Sequence, residues 1–265
     1  VSNMDTILSI NHISHSYHTL KGETPALYDI SFSVNQGEFL AVVGPSGCGK
    51  STLLSLISGL LQPEKGEILL HGKPIEEQKD KIGYMLQRDE LLEWRSIYRN
   101  VLLGPEIQHS LNPEVKKRAH ELLDAYGLGQ FQSSRPSELS GGMRQRAALV
   151  RTLILNPEVL LLDEPFSALD YQTRLNVSDD IGQIIRREGK TALLVTHDLS
   201  EAISLADRIL VLSSRPASLK TTVSLHFGFP KPADDTPLNR RNAPEFKTYF
   251  NLIWKELNQH ENQTD

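Results

Sequence analysis

Residues 44–51 have the types and the spacing of a phosphate-binding loop. Glycine fills the first and sixth positions of the pattern G-x-x-x-x-G-K-[S/T], and Lys50 and Ser51 complete it. Glycines let the backbone turn its N–H groups toward a phosphate chain, while the lysine ammonium can reach the β- and γ-phosphates and the serine hydroxyl can ligate Mg²⁺. A glycine-rich turn without a ligand would not explain Lys-Ser at this offset. The residues assigned to the loop are Gly44, Pro45, Ser46, Gly47, Cys48, Gly49, Lys50, Ser51 and Thr52.

Two carboxylates follow a short apolar run at residues 159–162. Asp163 can hold the Mg²⁺ that bridges the phosphates, and Glu164 is a candidate base for the attacking water. The alternative is a pair of strand-end carboxylates that simply begins a loop. The phosphate-binding loop upstream makes that alternative the weaker interpretation. Together the two motifs predict Mg²⁺-dependent nucleotide hydrolysis.

A second phosphate cradle is predicted at Ser140, Gly141 and Gly142, which precede an apolar helical stretch. The serine hydroxyl and the bare N–H groups of a helix start suit a phosphate. The alternative is a serine N-cap followed by a glycine turn. One domain does not need two cradles for a single ATP.

The segment Leu139–Arg146, with the sequence LSGGMRQR, resembles the ABC signature LSGGQ, with Met143 where the family usually has glutamine. The resemblance covers roughly residues 6–215. It implies an ATPase with ATP and Mg²⁺ as cofactors. It also implies a homodimer in which two subunits pair head to tail, so that each signature closes on the γ-phosphate held by the partner's loop.

Four further residues match the family's set in chain order. Gln87 resembles the glutamine that senses Mg²⁺ and water and faces the membrane partner. Asp170 resembles the aspartate of the loop at the dimer seam, and His197 the switch histidine that contacts the γ-phosphate. Tyr17 resembles the aromatic residue that stacks on adenine, although other aromatic residues lie nearby and it could belong to the core. Taken singly, each residue could be an ordinary polar or packing residue.

The elements that must position these residues indicate an α/β fold. Strands are predicted at residues 7–10, 27–34 and 37–43, followed by a helix at 51–61. Further strand–helix alternation, with polar residues at strand ends, indicates an open parallel sheet with its site at the carboxyl edge. The predicted fold class is a P-loop NTPase core with a mainly parallel sheet, an N-terminal antiparallel β part and a helical insert.

The predicted domain organisation places an ABC ATPase domain at residues 1–225, with the helical insert at about 89–155. In that insert, Asn112 and Pro113 have the types of a helix N-cap and first position. Residues 226–265 are predicted to be a Pro-rich loop and a C-terminal helix. We expect the helix to pack on the core, with a dimer or docking role as the alternative. Its apolar face is Phe246, Phe250, Ile253, Trp254 and Leu257.

Composition argues against several classes of protein. The net charge of −5 argues against a nucleic-acid partner, and no apolar run approaches the roughly 20 residues of a membrane span. The N-terminus lacks the pattern of a signal peptide.

The single cysteine, Cys48, excludes an internal disulfide and fits a reducing cytoplasm. Its place in the loop predicts that bulky thiol reagents would block ATP binding. The spacing of His12, His15 and His18 does not by itself define a metal site, and we interpret them as surface residues.

The segment at residues 89–101 resembles the importers for nitrate, sulfonates and taurine, with Glu93 where proline is usual. Their subgroup includes transporters of thiamine precursors. The resemblance implies transmembrane permease partners, an extracellular binding protein that acts indirectly, and a location at the cytoplasmic face of the membrane. The alternatives are a non-transport ABC ATPase acting on nucleic acid or ribosomes, and a nucleotide-binding regulator without turnover. Lys50 and Ser140 are 90 positions apart (140 − 50), which suits a compact transporter subunit.

Overall fold

A computed structural model describes residues 5–20 and 22–258. Within these ranges the strands are β1 Thr6–Thr19, β2 Gly22–Asn35, β3 Phe39–Val43, β4 Lys65–Leu70, β5 Lys73–Pro74, β6 Ile82–Met85, β7 Val159–Asp163, β8 Thr191–Val195, β9 Arg208–Leu212 and β10 Leu219–Ser224. The helices are α1 Lys50–Ile57, α2 Ile97–Val101, α3 Leu103–Ile107, α4 Pro113–Ala125, α5 Gly141–Leu153, α6 Tyr171–Arg187, α7 Leu199–Leu205, α8 Pro237–Asn242 and α9 Pro244–Asn258. The chain forms two compact units. The first extends through Lys79 and resumes at Gly182, and the second is Asp80–Ile181.

The first unit contains an antiparallel sheet with the strand order β2-β1-β4-β5. The predicted strands at 7–10 and 27–34 were right in type and too short, because β1 and β2 each run for 14 residues. Leu8, Ile10 and Ile13 are buried, whereas the distal end of the hairpin is largely exposed. The periodic signal of a half-buried strand is therefore lost at that end.

The same unit contains a parallel arrangement of β9, β3 and β8, with β10 antiparallel to β9. Every residue of β3 and β8 is buried, which explains why both strands are continuous apolar runs. Val42 pairs with Val195, so the two strands end at the same edge. The segments after β3 and β8 therefore leave the sheet side by side.

In the second unit, β6 and β7 are parallel, with Met85 opposite Leu162. Helix α4 begins as the sequence predicts, since the Asn112 side chain accepts a hydrogen bond from Val115 N at 2.8 Å. Its buried residues are Ala119, Leu122 and Leu123. These apolar positions anchor α4 against neighbouring elements of the unit.

The Pro-rich loop predicted within residues 226–265 is wrong in part, because the helix α8 lies inside it. Thr236 caps that helix by accepting from Asn239 N at 3.2 Å, and Pro237 occupies its first turn. Threonine followed by proline is a helix-start pair, and the surrounding Pro- and Asp-rich composition hides it. The domain boundaries at residue 225 and at about 89–155 remain predictions.

The C-terminal helix α9 packs against α7, β9 and β10, in the same unit. Its predicted apolar face is right at Ile253, which is fully buried. It is wrong at Trp254, which is 56% exposed and stacks on Phe250 with 6.1 Å between ring centroids. Among the helices of the described ranges, none is both long enough and apolar enough to cross a membrane.

Candidate functional site

The phosphate-binding loop connects β3 to α1 through a tight glycine turn. Gly47 and Gly49 have φ angles of 72° and 123°, in the left-handed region that favours glycine. A Cβ on Gly49 would lie 2.8 Å from Leu27 Cδ2 and 3.0 Å from Ala26 O. Glycine is therefore required at position 49 by both conformation and space.

Lys50 begins α1 and points its ammonium group at the loop. Its Nζ donates to Gly44 O and to Pro45 O, each at 2.9 Å, and the residue is only 6% exposed. Ser46, Gly47 and Ser51 are exposed. A buried cation and a helix start with its partial positive charge thus lie beside an open loop, which is an arrangement suited to an anion.

Cys48 is packed inside the loop and is 1% exposed. A Cβ on Gly44 would lie 2.9 Å from its sulfur, so the two positions are in tight contact. Burial raises the pKa of the Cys48 thiol, although the neighbouring Lys50 ammonium opposes the shift. The thiol is therefore a small packing group that the loop shields from solvent.

Tyr17 joins the hairpin of β1 and β2 to the loop's helix. Its hydroxyl lies 3.0 Å from Thr52 Oγ1, within hydrogen-bond distance. Its ring meets His15 edge-on at 5.2 Å, and the residue is 39% exposed. Tyr17 is placed next to the phosphate-binding loop, and its contact with adenine remains a prediction.

His197 follows β8 at the same edge of the sheet as Gly44 and is exposed. The turn that carries it is held by Thr196, whose hydroxyl donates to Glu201 and accepts from Asp198 N at 3.0 Å. Asp198 caps α7 by accepting from Ser200 N at 2.8 Å. The sequence analysis assigns no role to Thr196 or Asp198, although Asp-x-x-Glu before a helix is a capping signal.

Glu164 follows β7 in the second unit with a φ of 44°, a left-handed conformation that is strained for a non-glycine residue. Ser167 holds it there, because its backbone N and its hydroxyl donate to Glu164 O at 3.2 and 2.9 Å. Gln87 Nε2 donates to the same hydroxyl at 3.2 Å. The structure thus brings together two predicted site residues, Glu164 and Gln87, through a third that had no assigned catalytic role.

Asp163 is half-buried at the end of β7. Its Oδ2 accepts a hydrogen bond from the hydroxyl of Tyr84, on the neighbouring strand β6, at 3.2 Å. We assigned no role to Tyr84 from the sequence, because only the pairing of β6 with β7 places it beside this carboxylate. Tyr84 therefore orients one oxygen of the predicted Mg²⁺ ligand.

The signature segment forms the start of α5. Ser140 Oγ accepts a hydrogen bond from Met143 N at 3.4 Å, so Ser140 is the N-cap of α5. Cβ atoms on Gly141 and Gly142 would lie 2.8 Å from Leu169 Cδ2 and 2.5 Å from Val177 Cγ2. The two glycines thus pack closely against neighbouring side chains, and the phosphate cradle remains a prediction.

Asp170 is exposed and precedes α6. Its Oδ1 accepts from Thr173 N at 3.1 Å. The side-chain hydrogen bond from Thr173 holds the pKa of Asp170 below its ordinary value. The residue is therefore a charged cap, and its position at a dimer seam remains a prediction.

Comparison with known proteins decides the family. The model of the ABC transporter family matches residues 27–167. An uncharacterized ABC transporter ATP-binding protein of Bacillus subtilis, YtlC, is 47% identical over 259 residues, which are 97% of this chain and 98% of that protein. The chain belongs to the ABC transporter family.

Two further relatives of this ABC transporter chain bear on its activity. The taurine import ATP-binding protein TauB of Roseobacter denitrificans is 37% identical over 94% of each chain. The dimeric structure of a post-hydrolysis state of an ATP-binding cassette, with ADP and Pi bound, matches with a TM-score of 0.71 at 29% identity, over 84% of this chain and all of that one. The chain is the ATP-binding, ATP-hydrolysing subunit of an ABC transporter, and the fold class predicted from sequence is confirmed.

Proposed function

We propose that this subunit hydrolyses Mg-ATP at the residues assigned above and thereby drives import of a small solute, of the sulfonate or nitrate type, through membrane partners. The observation that carries the site assignment is the chain of hydrogen bonds from Gln87 to Ser167 to Glu164. It fixes a strained carboxylate residue directly after the aspartate proposed to hold Mg²⁺. Strain maintained by specific contacts is typical of functional positions.

The residues proposed to hold the nucleotide supply the groups that its phosphates need. Lys50 exchanges its two carbonyl partners for phosphate oxygens, and the N–H groups of the loop bind the same chain. The hydroxyl of Ser51, the carboxylate of Asp163 and the amide oxygen of Gln87 are hard oxygen donors, which fit Mg²⁺. When bound, the ion neutralises charge on the phosphates. Tyr17 supplies an aromatic face for adenine.

Hydrolysis in this proposal depends on two side chains at strand ends. Glu164 accepts a proton from the attacking water, and Ser167 keeps its backbone in place. His197 contacts the γ-phosphate, and the capped turn of Thr196 and Asp198 positions it. Both roles require close alignment with the reacting atoms, and the hydrogen-bonded turns that carry the two residues support such roles.

The signature is proposed to act across a head-to-tail homodimer. Ser140 is exposed at the start of α5, so its hydroxyl is accessible to a second subunit. Asp170 lies at the exposed start of α6 and would meet the same seam. The similar cassette with ADP and Pi bound is a dimer, which supports this arrangement.

The transport assignment rests on similarity to TauB. Taurine is a small sulfonate, and the segment at 89–101 resembles the same group of importers. We propose a location at the cytoplasmic face of the membrane, permease partners that span it, and an extracellular binding protein that acts indirectly. The net charge of −5 supports the proposal that nucleic acid is not a partner.

Two assays test the proposal in separate parts. Phosphate release by the purified chain should require Mg²⁺, stop with EDTA and be lost in Lys50→Ala. Uptake of labelled taurine and nitrate in cells carrying the Lys50→Ala allele should fall to the level of a deletion strain. Hydrolysis without a change in uptake of either solute would overturn the substrate class and leave the ATPase intact. Absence of Mg-ATP hydrolysis in the wild type, with its partners present, would overturn the site.

A further inference from the structure

Three side chains at the distal end of the hairpin of β1 and β2 converge on one point. His18, Glu23 and Glu64 each offer a ligand atom, and these atoms lie within 4.8 Å of one another. All three residues are exposed and belong to the first unit. The nucleotide proposal uses none of them. They come from three chain segments, so no local sequence pattern joins them.

The backbone fixes each of the three residues. His18 stands opposite Glu23 in the antiparallel pairing of β1 with β2, where facing side chains come close together. Glu64 precedes β4, and its N donates to Ser14 O at 3.0 Å. His18 Nε2 already lies 2.7 Å from Glu64 Oε1. The cluster is thus held by strand pairing rather than by flexible loops.

The side chains of the cluster are of the types that bind metal ions, since metal ligands are deprotonated carboxylates or neutral imidazoles. A bound ion would replace the direct contact between His18 Nε2 and Glu64 Oε1, which lie 2.7 Å apart.

We propose that His18, Glu23 and Glu64 bind one Zn²⁺-type divalent transition ion, with water completing the coordination. One imidazole nitrogen and two carboxylate oxygens are ligands that zinc accepts, and three protein ligands leave a position for solvent. Mg²⁺ and Ca²⁺ prefer oxygen-only sites with more ligands. The ion would tie β1, β2 and the segment before β4 together, next to Tyr17.

The chain contains a matched control for this site. His12 Nδ1 lies 2.7 Å from Asp29 Oδ1, and both residues are exposed, as in the pair of His18 and Glu64. Within the residues that the structure describes, only His18, Glu23 and Glu64 form a group of three ligands. A substitution at His12 therefore measures how much an isolated histidine–carboxylate pair contributes to binding of the metal ion.

The test is a titration of the full chain with ZnCl₂ by calorimetry, without nucleotide and after removal of metal with EDTA and desalting. Wild type and His12→Gln should each bind one equivalent of Zn²⁺. His18→Gln and Glu64→Gln should lose affinity by more than the roughly 10- to 100-fold that removal of an outer-shell partner costs, because they remove a direct ligand. MgCl₂ and CaCl₂ should not compete. CoCl₂ should give a visible absorption band that disappears in Glu23→Gln.

Two results would overturn the site. One is a wild type that takes up no saturable equivalent of Zn²⁺. The other is equal binding by wild type and His18→Gln, which would place the ion elsewhere in the chain. Circular dichroism of each variant shows whether it is folded, and because all the substituted residues are exposed we expect unchanged spectra.

Discussion

Ser167→Ala should slow ATP hydrolysis without weakening ATP binding. The substitution removes a hydroxyl that donates to Glu164 O at 2.9 Å and accepts from Gln87 at 3.2 Å. Each hydrogen bond contributes about 0.5–1.5 kcal/mol. The Ser167 backbone N still donates to Glu164 O at 3.2 Å, which limits the loss to about 1–2 kcal/mol of transition-state alignment.

At about 1.4 kcal/mol per factor of ten, kcat should fall roughly 5- to 30-fold. KM for ATP should change by less than about twofold, because the lost contacts are with Glu164 and Gln87, and neither of these residues is proposed to contact the nucleotide itself. The assay is steady-state phosphate release over a range of ATP concentrations at fixed excess Mg²⁺.

Ser178→Ala is the matched control for this prediction. Its hydroxyl donates to a backbone carbonyl, Leu175 O, at 3.0 Å, and the residue is 2% exposed. It should cost stability and leave kcat unchanged. An unchanged kcat in Ser167→Ala, or a raised KM with kcat intact, would refute the positioning role of Ser167.

Three further predictions concern stability, reactivity and local order. Arg240→Met should lower the free energy of unfolding in urea by about 2–4 kcal/mol. The loss is smaller than for a fully buried ion pair because the Asp235 side chain is 35% exposed. The control Lys247→Met, at an exposed position, should lower it by less than about 0.5 kcal/mol. Arg240 lowers the pKa of Asp235 through a hydrogen bond to its side chain. The loss of unfolding free energy in Arg240→Met should therefore have its full size above about pH 4 and become smaller as the pH falls further. A loss that does not change with pH would contradict this reasoning. Native Cys48 should react with N-ethylmaleimide far more slowly at pH 7.5 than in guanidinium, and equal rates would show that the thiol is accessible. Asn100→Ala should speed amide hydrogen exchange at residues 92–96. The buried Asn100 side chain accepts a hydrogen bond from Leu92 N and donates to three carbonyl oxygens in that segment. Unchanged exchange would contradict its role in ordering the segment.

Sequence alone predicts the elements whose signals are local. Strands β3 and β8 are fully buried, so their apolar runs are unambiguous. Helix α4 carries its own start signal in Asn112 and Pro113. The phosphate-binding loop is defined by glycine and lysine at fixed offsets, and the structure places it between β3 and α1 as expected.

The parts that sequence does not predict depend on contacts between distant positions. Gln87 and Ser167 are 80 positions apart, and Tyr84 and Asp163 are 79 apart. The pairing of β6 with β7 brings each pair together, and no local pattern encodes it. Trp254 shows a different limit, because it lies on the predicted apolar face of α9 and is nevertheless exposed. Helical periodicity predicts which residues share a face, but it does not give how much of that face a neighbouring element covers.

The histidines of β1 show the same limit at the surface. Their spacing along one strand does not by itself define a metal site, and the sequence alone predicts only surface residues. His18 gains two carboxylate neighbours only through strand pairing with Glu23 and the approach of Glu64, which is 46 positions away.

The most direct test of the central claim is Glu164→Gln on a sizing column with and without Mg-ATP, beside a phosphate-release assay. Glu121→Gln, an exposed carboxylate on α4, is the control. The account predicts that Glu164→Gln loses hydrolysis and elutes as an ATP-dependent dimer, while the control behaves like wild type. Hydrolysis at the wild-type rate would contradict the role of Glu164 as the base, and a monomer with ATP bound would contradict head-to-tail pairing of this chain.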